Sequence, residues 1–287
     1  MKIQRLPANP IIGPHMDERM GENINGPSLI RVPGWVPNPL GRYYLYFAHH
    51  QGAYIRLAYA DRLEGPWRIH TPGVLDLGDS FFDRHIASPD VHLVPERREI
   101  WMYYHGCCRP VEPRQATRLA ISGDGLTFAA REEVLGGPYW RVFHWGGWHY
   151  ALAGAGLTYR SRDGISGWEQ GPNLFTEDLR HLAVRLRGDD LEVFFTYAWD
   201  CPERILHATI HLTQDWASWQ PSEPVTVLEP EQDWEGGNLE LVASRRGAIH
   251  EPARQLRDPA IHEEDGHAYL LYSVAGEHGI AIAEISE

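Results

Sequence analysis

One unit of short strands recurs five times along the 287 residues, and this repeat restricts the possible folds more than any other feature. Each copy has an apolar strand, a second strand rich in Tyr, Trp or Phe, a third strand of small residues, and a closing turn with an aromatic residue. The copies begin near Ser28, Pro89, Trp140, His181 and Pro259. Short apolar or alternating runs between turn residues, without a sustained helical period, are typical of β-strands.

Four-stranded units repeated around an axis form a β-propeller. We therefore predict an all-β fold, a five-bladed β-propeller that forms a single domain over residues 1–287. The fifth copy lacks a fourth strand, so we expect the N-terminal segment, residues 3–6, to supply it and close the ring. The long linker 229–254 is either a flap or lid over one face or a surface excursion without a role. A β-sandwich with irregular strand spacing is the alternative fold.

Charge and cysteine content limit the partners and the compartment. The chain has 26 Lys and Arg against 39 Asp and Glu, a net charge of −13. Nucleic acids and anionic membranes are bound through basic patches, so we expect neither as a partner. There is no apolar stretch of about 18 residues and no secretory signal. Cys107, Cys108 and Cys201 form no disulfide framework, and this favours a reducing, cytoplasmic location.

Several motifs resemble those of glycoside hydrolase family 43 and its relatives in families 32, 68 and 117. The matching segments are 26–29, 43–47, 57–60 and 63–67 in the first copy, 87–92 in the second, and 257–259, 264–266 and 269–272 in the last. The resemblance covers essentially the whole chain. It implies a five-bladed propeller and a glycoside hydrolase-like enzyme, and we expect that enzyme to act on a small, anionic or modified, oligosaccharide inside the cell.

The first-blade motif departs from that family at its most important position. The family places its general base, an Asp, directly before Pro-Ser, and here that residue is Gly26. Asn25 and Asn23 precede it, and an amide cannot act as the base. The family's general acid, a Glu, also has no match, because Gly137 stands where Glu-Gly-Pro is expected. The usual inverting mechanism is therefore not carried over intact.

Titratable residues concentrate at one end of the predicted strands. In a propeller, the loops that lead into the inner strands and those that join the second to the third strand lie on one face. Residues at these positions are Asn25, His49, His50, His85, Asp90, His105, Arg141, His144, Arg180, His181, Tyr197, Trp199, Asp200, Glu203, Arg204, Arg257, Asp258, Glu277 and His278. We predict that this face holds the site.

Roles can be assigned to part of this set. Glycoside cleavage needs two carboxyl groups in different protonation states, and Asp90 and Asp258 are the leading candidates. Glu277, Glu203 and His105 are candidates for the general acid. Substrate contacts are expected from Asn25, His49, His50, His85, Arg141, His144, His181, Trp199 and Arg257. No cofactor is predicted with certainty, and a divalent metal held by histidines is a further hypothesis.

Four arginines predict an anionic substrate. Arg141, Arg180, Arg204 and Arg257 all fall on the working face, and a guanidinium group binds carboxylate or sulfate in a bidentate manner. Pairing with aspartates of the protein is their alternative role. Two other functions stay open. One is a lyase, in which His or Tyr takes a proton beside a uronate, and the other is a carbohydrate-binding propeller without catalysis.

Overall fold

Short antiparallel strands form five sheets in the computed structural model, which describes residues 1–107 and 115–286. The chain starts with β1 (Lys2–Arg5). Blade 1 contains β2 (Asn25–Arg31), β3 (Tyr43–Ala48), β4 (Tyr54–Ala60) and β5 (Arg68–Ile69), and β6 (Leu75–Asp76) pairs with the start of β4. Blade 2 contains β7 (Ile86–Val94), β8 (Glu99–Cys107), β9 (Gln115–Ser122) and β10 (Ala129–Ala130).

The second half of the chain repeats this arrangement. Blade 3 contains β11 (Arg141–Trp145), β12 (Trp148–Leu152), β13 (Leu157–Ser161) and β14 (Glu169–Asn173). Blade 4 contains β15 (Leu179–Arg187), β16 (Asp190–Tyr197), β17 (Ile205–His211) and β18 (Val225–Leu228). Blade 5 contains β19 (Arg257–Glu264), β20 (His267–Ser273) and β21 (Ile280–Ser286), together with β1. The prediction of a five-bladed β-propeller is confirmed.

Helical structure in the described residues is limited to single 3₁₀ turns. They are Leu77–Asp79, Gly154–Gly156, Trp216–Ser218 and Asp233–Glu235. Within residues 1–107 and 115–286, no helix has the length and apolar character needed to span a bilayer.

The N-terminal strand closes the ring, as the sequence predicted. β1 pairs with β21 in antiparallel register, from Lys2 opposite Ser286 to Arg5 opposite Ala283. Arg5 also donates from Nε and Nη2 to the buried carboxylate of Glu235, at 2.8 and 2.9 Å. Tyr272 of β20 donates to the same carboxylate at 2.9 Å. This network joins β1, blade 5 and the long linker after β18.

The hydrophobic core lies between neighbouring blades, because the strands bury both of their faces. Tyr44 and Tyr46 of blade 1 pack in one cluster with Met102 and Tyr104 of blade 2. Between blades 3 and 4, a second cluster is built on aromatic residues that include Trp219. The inner strands β19, β2 and β7 contact one another in sequence, as do β11, β15 and β19. Their alternating side chains therefore surround a central channel.

The same backbone irregularity opens the first strand of three blades. Gly26, Ser88 and Asp258 have φ angles of 61°, 45° and 46°, and each directly precedes a proline. The pairing with the second strand shifts register at each of these positions. Such β-bulges re-aim a side chain next to a site. In this propeller they turn three equivalent residues toward the mouth of the channel.

Part of the long linker 229–254 lies against side chains at the mouth of the channel. Its residues 245–250 contain no strand or helix, and their carbonyl oxygens accept hydrogen bonds from side chains of the channel. Arg180 donates to the carbonyls of Arg245 and Gly247, and Asn23 donates to that of Ile249 at 3.1 Å. We call residues 244–250 the strap.

Candidate active site

Two arginines and two glutamates form a buried ion-pair cluster under the strap. Nη1 of Arg257 lies 2.8 Å from Oε1 of Glu277, and its Nε lies 3.2 Å from Oε2 of Glu203. Arg180 contacts the same Glu203 oxygen from Nη1 at 3.3 Å. Both glutamates are fully buried. Glu203, a candidate acid, is therefore enclosed by two guanidinium groups and by Thr196, which donates to it at 2.8 Å.

Glu277 also orients a histidine. Burial would raise the pKa of Glu277, but the hydrogen bond and charge of His50, the Arg257 guanidinium and the Asn23 amide lower it to about 2. Nδ1 of His50 lies 3.2 Å from Oε1 of Glu277, and Asn23 donates to Oε2 at 2.7 Å. Asn25, predicted to contact substrate, is buried and donates to Asn23. Glu277 is thus an ionised carboxylate that fixes the His50 ring.

Asp258 is a buried carboxyl group in a different environment. Its Oδ1 lies 3.2 Å from Nε2 of His181, and Ser273 donates to its Oδ2 at 3.4 Å. Burial and the charge of Glu277 raise the pKa of Asp258 to about 7, against the opposing charges of Arg180 and Arg257. Within the described chain, no arginine approaches Asp258 within 4.0 Å. A carboxyl group of this kind can carry a proton at neutral pH.

An aromatic residue that the sequence analysis missed stands between two histidines. The ring centroid of Tyr139 lies 4.0 Å from that of His105 and 5.4 Å from that of His181. Its backbone is left-handed, with φ at 63°, which is uncommon for a bulky residue. The one signal in the sequence was its place just ahead of the third inner strand. Tyr139 and His181 both line a cavity of about 390 Å³.

Both histidines beside Tyr139 are buried and neutral. Burial, and then the neighbouring charges, hold the pKa of each well below its ordinary value, with Arg180 the leading charge on His181 and His85 on His105. The Nδ1 atom of each lacks a hydrogen-bond partner among the described residues. His181, which borders one of the cavities, therefore keeps a buried ring nitrogen that no described group of the protein holds.

Asp90 lies deeper in the channel and links two blades. Its Oδ2 accepts from the backbone N–H of Val142 at 2.8 Å, and it lies 2.7 Å from Nε2 of His92. Burial would raise the pKa of Asp90, but His92, Arg141 and the Val142 amide lower it. Asp90 and Arg141 line a separate cavity of about 280 Å³ between the inner strands. Asp90 is thus placed away from Asp258 at the mouth.

Two adjoining cavities open on the working face. The first, of about 390 Å³, is bordered by Tyr139, Arg180, His181 and Arg246, and the second, of about 790 Å³, by Arg84 and His85. They share His50, Gln115 and Pro138. Among the described residues that line them, none is an Asp or a Glu. The two cavities together therefore present cationic and neutral groups to a ligand.

The remaining predicted residues are distributed around this mouth, with one correction. His49 is half-buried, and burial, with the charge of Arg56, lowers its pKa to about 4. His85 packs edge-on to His105, and Trp199 is 56% exposed with φ at 74°. His144 does not lie at the mouth. It is exposed near the far end of β11, one residue before the turn into β12, so it belongs to the opposite face.

The position of the missing base is closed by a neighbouring blade. A Cβ atom on Gly26 would lie 3.0 Å from Cα and 3.3 Å from Oγ of Ser88, which is the equivalent residue of blade 2. At the expected acid position, the N–H of Gly137 donates to Tyr159 and its carbonyl accepts from Thr117. Neither place offers a carboxyl group.

The structure gives no support to the metal hypothesis. Within residues 1–107 and 115–286, no group of three or more His, Cys, Asp or Glu side chains could hold a metal ion. Cys107 is a buried free thiol and Cys201 an exposed one, and Cys108 lies outside the described residues.

A relative similar in sequence shows the family of this chain, whereas solved structures of low sequence identity show its fold. No family model matches the chain. It is 35% identical to the uncharacterized protein R118 of Acanthamoeba polyphaga mimivirus, over 99% of this chain and 90% of that protein. This level of identity over nearly full length establishes common membership of one family.

Solved structures with the same fold are glycoside hydrolases. A putative glycoside hydrolase from Parabacteroides distasonis superposes with a TM-score of 0.67 at 12% identity, covering 98% of this chain and 95% of that one. CoXyl43, a GH43 β-xylosidase/α-arabinofuranosidase from a compost microbial metagenome, gives 0.63 at 13% identity, with 96% and 95% covered. The GH43_1 enzyme of Xanthomonas citri gives 0.64 at 12% identity, with 98% and 93% covered. The chain therefore belongs to the family of the mimiviral protein R118 and is built on the five-bladed propeller fold of GH43 enzymes.

Proposed function

We propose that this protein is a glycosidase-like enzyme that acts on a small, anionic oligosaccharide. The observation that carries the proposal is the contrast between Asp258 and Glu277 at the mouth of one channel. Asp258 is buried without an arginine partner and has a raised pKa, whereas Glu277 is ionised and holds His50. Pairs of groups pushed toward opposite protonation states are the basis of acid–base catalysis in glycosidases.

In this proposal Asp258 is the general acid. It carries a proton at neutral pH but does not border the cavities, so the proton passes through His181, which borders the first cavity, to the glycosidic oxygen of the leaving group, and the departing alcohol is neutral. His181, at 3.2 Å, holds the carboxyl group in place. The proton lost by Asp258 is restored from water after product release.

The proposed general base is His50, which takes the place of the absent Asp at position 26. Its Nδ1 faces the ionised Glu277, which leaves Nε2 to accept a proton from the attacking water. His50 borders both cavities, where that water and the sugar would lie. The carboxylate orients the imidazole, as in other carboxylate–histidine pairs.

The cavities support the substrate class. Volumes of about 390 and 790 Å³ are those of small-molecule sites, and their described lining combines arginines and histidines without a carboxylate. A ligand with a carboxylate or sulfate group suits such a lining. Action inside the cell is also part of the proposal, and the free thiols of Cys107 and Cys201 support a reducing compartment.

A chromogenic aryl glycoside panel, including uronides and neutral pyranosides and furanosides, tests the activity. We expect release of the aryl alcohol from one or more uronides, and a loss of at least about 10²-fold in Asp258→Asn and in His50→Gln. Ser273→Ala is the matched control, because it removes only the 3.4 Å contact to Asp258. Turnover that survives in both acid–base variants would overturn these roles.

A lyase is the second candidate, and one observation favours it. Tyr139, His181 and Arg180 border the same cavity, and such groups can remove a proton beside a uronate whose carboxylate is neutralised. Elimination yields an unsaturated uronide that absorbs in the ultraviolet, whereas hydrolysis does not. Absorbance of the products of oligouronides therefore distinguishes the two reactions. Sugar binding without either product would indicate a binding propeller.

A further inference from the structure

The four arginines singled out in the sequence are all occupied by the protein. Arg257 pairs with Glu277, Glu203 and Gln255, and Arg204 pairs with Asp200 and Glu229 at 3.2 and 3.0 Å. Arg141 donates to the carbonyl of Trp140 and faces Asp90 at 4.0 Å. Such pairing is the alternative role that the sequence left open.

Arg180 borders the first cavity, but groups of the protein already accept hydrogen bonds from its guanidinium. Nη1 contacts Glu203 and the carbonyl of Arg245, and Nη2 donates to the carbonyl of Gly247 at 3.0 Å. A substrate anion would have to displace the strap to reach this guanidinium. Recognition of an anionic sugar therefore has to come from another cation at the cavity.

Arg246 of the strap meets this requirement. It borders the first cavity with Tyr139 and His181, and its side chain is 47% exposed. One of its nitrogens, Nη2, donates to the carbonyl of Glu177 and lies 3.9 Å from Asp178. Its charge acts on the phenol of Tyr139, so the guanidinium stands close to the proposed reaction centre. Among the described residues, no hydrogen-bond partner holds the other guanidinium donors, so they can meet a ligand.

We propose that Arg246 determines specificity by binding the carboxylate or sulfate of the substrate sugar. A planar guanidinium with donors free on the cavity side can engage two oxygens of such a group at once. The strap delivers it, because the channel residues Arg180, Arg257 and Asn23 fix the strap's carbonyls. This inference rests on the proposed function, since it assigns the substrate class of the same site.

Calorimetry with matched sugars tests the assignment. Glucuronate and galacturonate are compared with glucose and galactose, using wild type, Arg246→Gln, Arg246→Lys and Arg245→Gln. Arg245 is the matched control, because it lies on the same strap, is exposed, and contributes only its backbone carbonyl to the hydrogen bonds of the described chain.

We expect wild type to bind the uronates about tenfold more tightly than the neutral sugars, as one charge-assisted contact allows. Arg246→Gln should abolish this preference, Arg246→Lys should retain part of it, and Arg245→Gln should leave it intact. Added salt should weaken the preference in wild type. Equal affinities in wild type, or an unchanged preference in Arg246→Gln, would overturn the assignment of Arg246. Neither result would contradict the proposal that the protein cleaves glycosides. A preference that depends on Arg246 in a protein that cleaves no glycoside would support the assignment and overturn the proposed function.

Discussion

Nε2 of His181 lies 3.2 Å from Oδ1 of Asp258, and both side chains are buried at the mouth of the channel. Burial raises the pKa of Asp258 and lowers the pKa of His181, because it disfavours the charged form of each group. The pair can therefore exist at neutral pH with a single shared proton between a carboxyl oxygen and a ring nitrogen.

Asp258→Asn should reduce kcat by at least about 10²-fold while the protein stays folded. Asn keeps the size of the side chain and the left-handed backbone, but it cannot donate an acidic proton. Asp265→Asn is the control, because Asp265 lies in the turn between β19 and β20 of the same blade, at the opposite face. Steady-state rates with circular dichroism spectra check the prediction. Equal rates in wild type and Asp258→Asn would remove Asp258 from catalysis.

The same substitution should change how stability depends on pH. Folding raises the pKa of Asp258 from 3.8 to about 7, so the folded state binds this proton more tightly than the unfolded state. Wild type should therefore lose stability as pH rises from about 4 to 7, by up to about 4 kcal/mol from this group. Asn does not titrate, so the free energy of unfolding of Asp258→Asn relative to wild type should increase over that range. Urea unfolding at a series of pH values measures it, and a pH-independent difference would contradict the prediction.

Asp90→Asn should act mainly on stability. The substitution weakens the contacts with His92 and the Val142 amide, and we expect a loss of about 1–3 kcal/mol with turnover within tenfold of wild type. The pKa of Asp90 is lowered by folding, so its contribution is present above the ordinary carboxyl pKa and is lost in acid. Urea unfolding and rate measurements on one preparation separate the two effects. A large fall in turnover at unchanged stability would make Asp90 catalytic.

Gly26→Asp should not restore the usual base of the fold. Its Cβ would lie 3.0 Å from the backbone of Ser88, and the residue must keep φ at 61°. We expect a cost of about 1–3 kcal/mol and no gain in turnover. Gly26→Ala shares the steric contact without the carboxylate, and it should be destabilised to a similar degree. An active and fully stable Gly26→Asp would show that the mouth can accept the carboxylate.

Deletion of residues 1–10 should lower Tm by several degrees. It removes β1 from the edge of β21, the Arg5 contacts to Glu235, and the Asn9 side chain that bonds both backbone groups of Ile282. The buried Glu235 carboxylate would also lose its charged partner, which is costly. Lys2→Ala is the control, since Lys2 is exposed in the same strand. Differential scanning calorimetry checks this, and an unchanged Tm would argue against closure by β1.

The strand pattern was sufficient to predict the fold. Apolar runs between turn residues marked the strands of all five blades, and the absence of a fourth strand after Ile280–Ser286 pointed to the N-terminal segment as its partner. These features are local in sequence, because each strand is short and pairs with its neighbour along the chain. Among the strand pairs of the described residues, the closing pair of β1 and β21 joins distant parts of the chain, and the missing fourth strand of the last copy predicts it.

The site was only partly predictable. Asp258, His181 and His50 could be placed at the mouth, because each stands at a fixed point of a repeated unit. Tyr139 and Arg246 could not, since one depends on a left-handed backbone and the other on an irregular strap held by side chains from distant strands. His144 was misplaced because a strand assignment alone does not say which end of a five-residue strand a side chain occupies.

The three equivalent bulges have a consequence for how activity on this scaffold can change. Gly26, Ser88 and Asp258 have the same backbone conformation in three blades. Their side chains differ, since Gly26 has none, Ser88 carries a hydroxyl group and Asp258 a carboxyl group. The conformation is therefore independent of the chemical group that it presents. A propeller of this kind can carry its reactive group in a different blade where the neighbouring blade leaves room for the side chain, which holds at Asp258 and not at Gly26, so that the chemistry relocates around the axis while the ring itself is inherited unchanged.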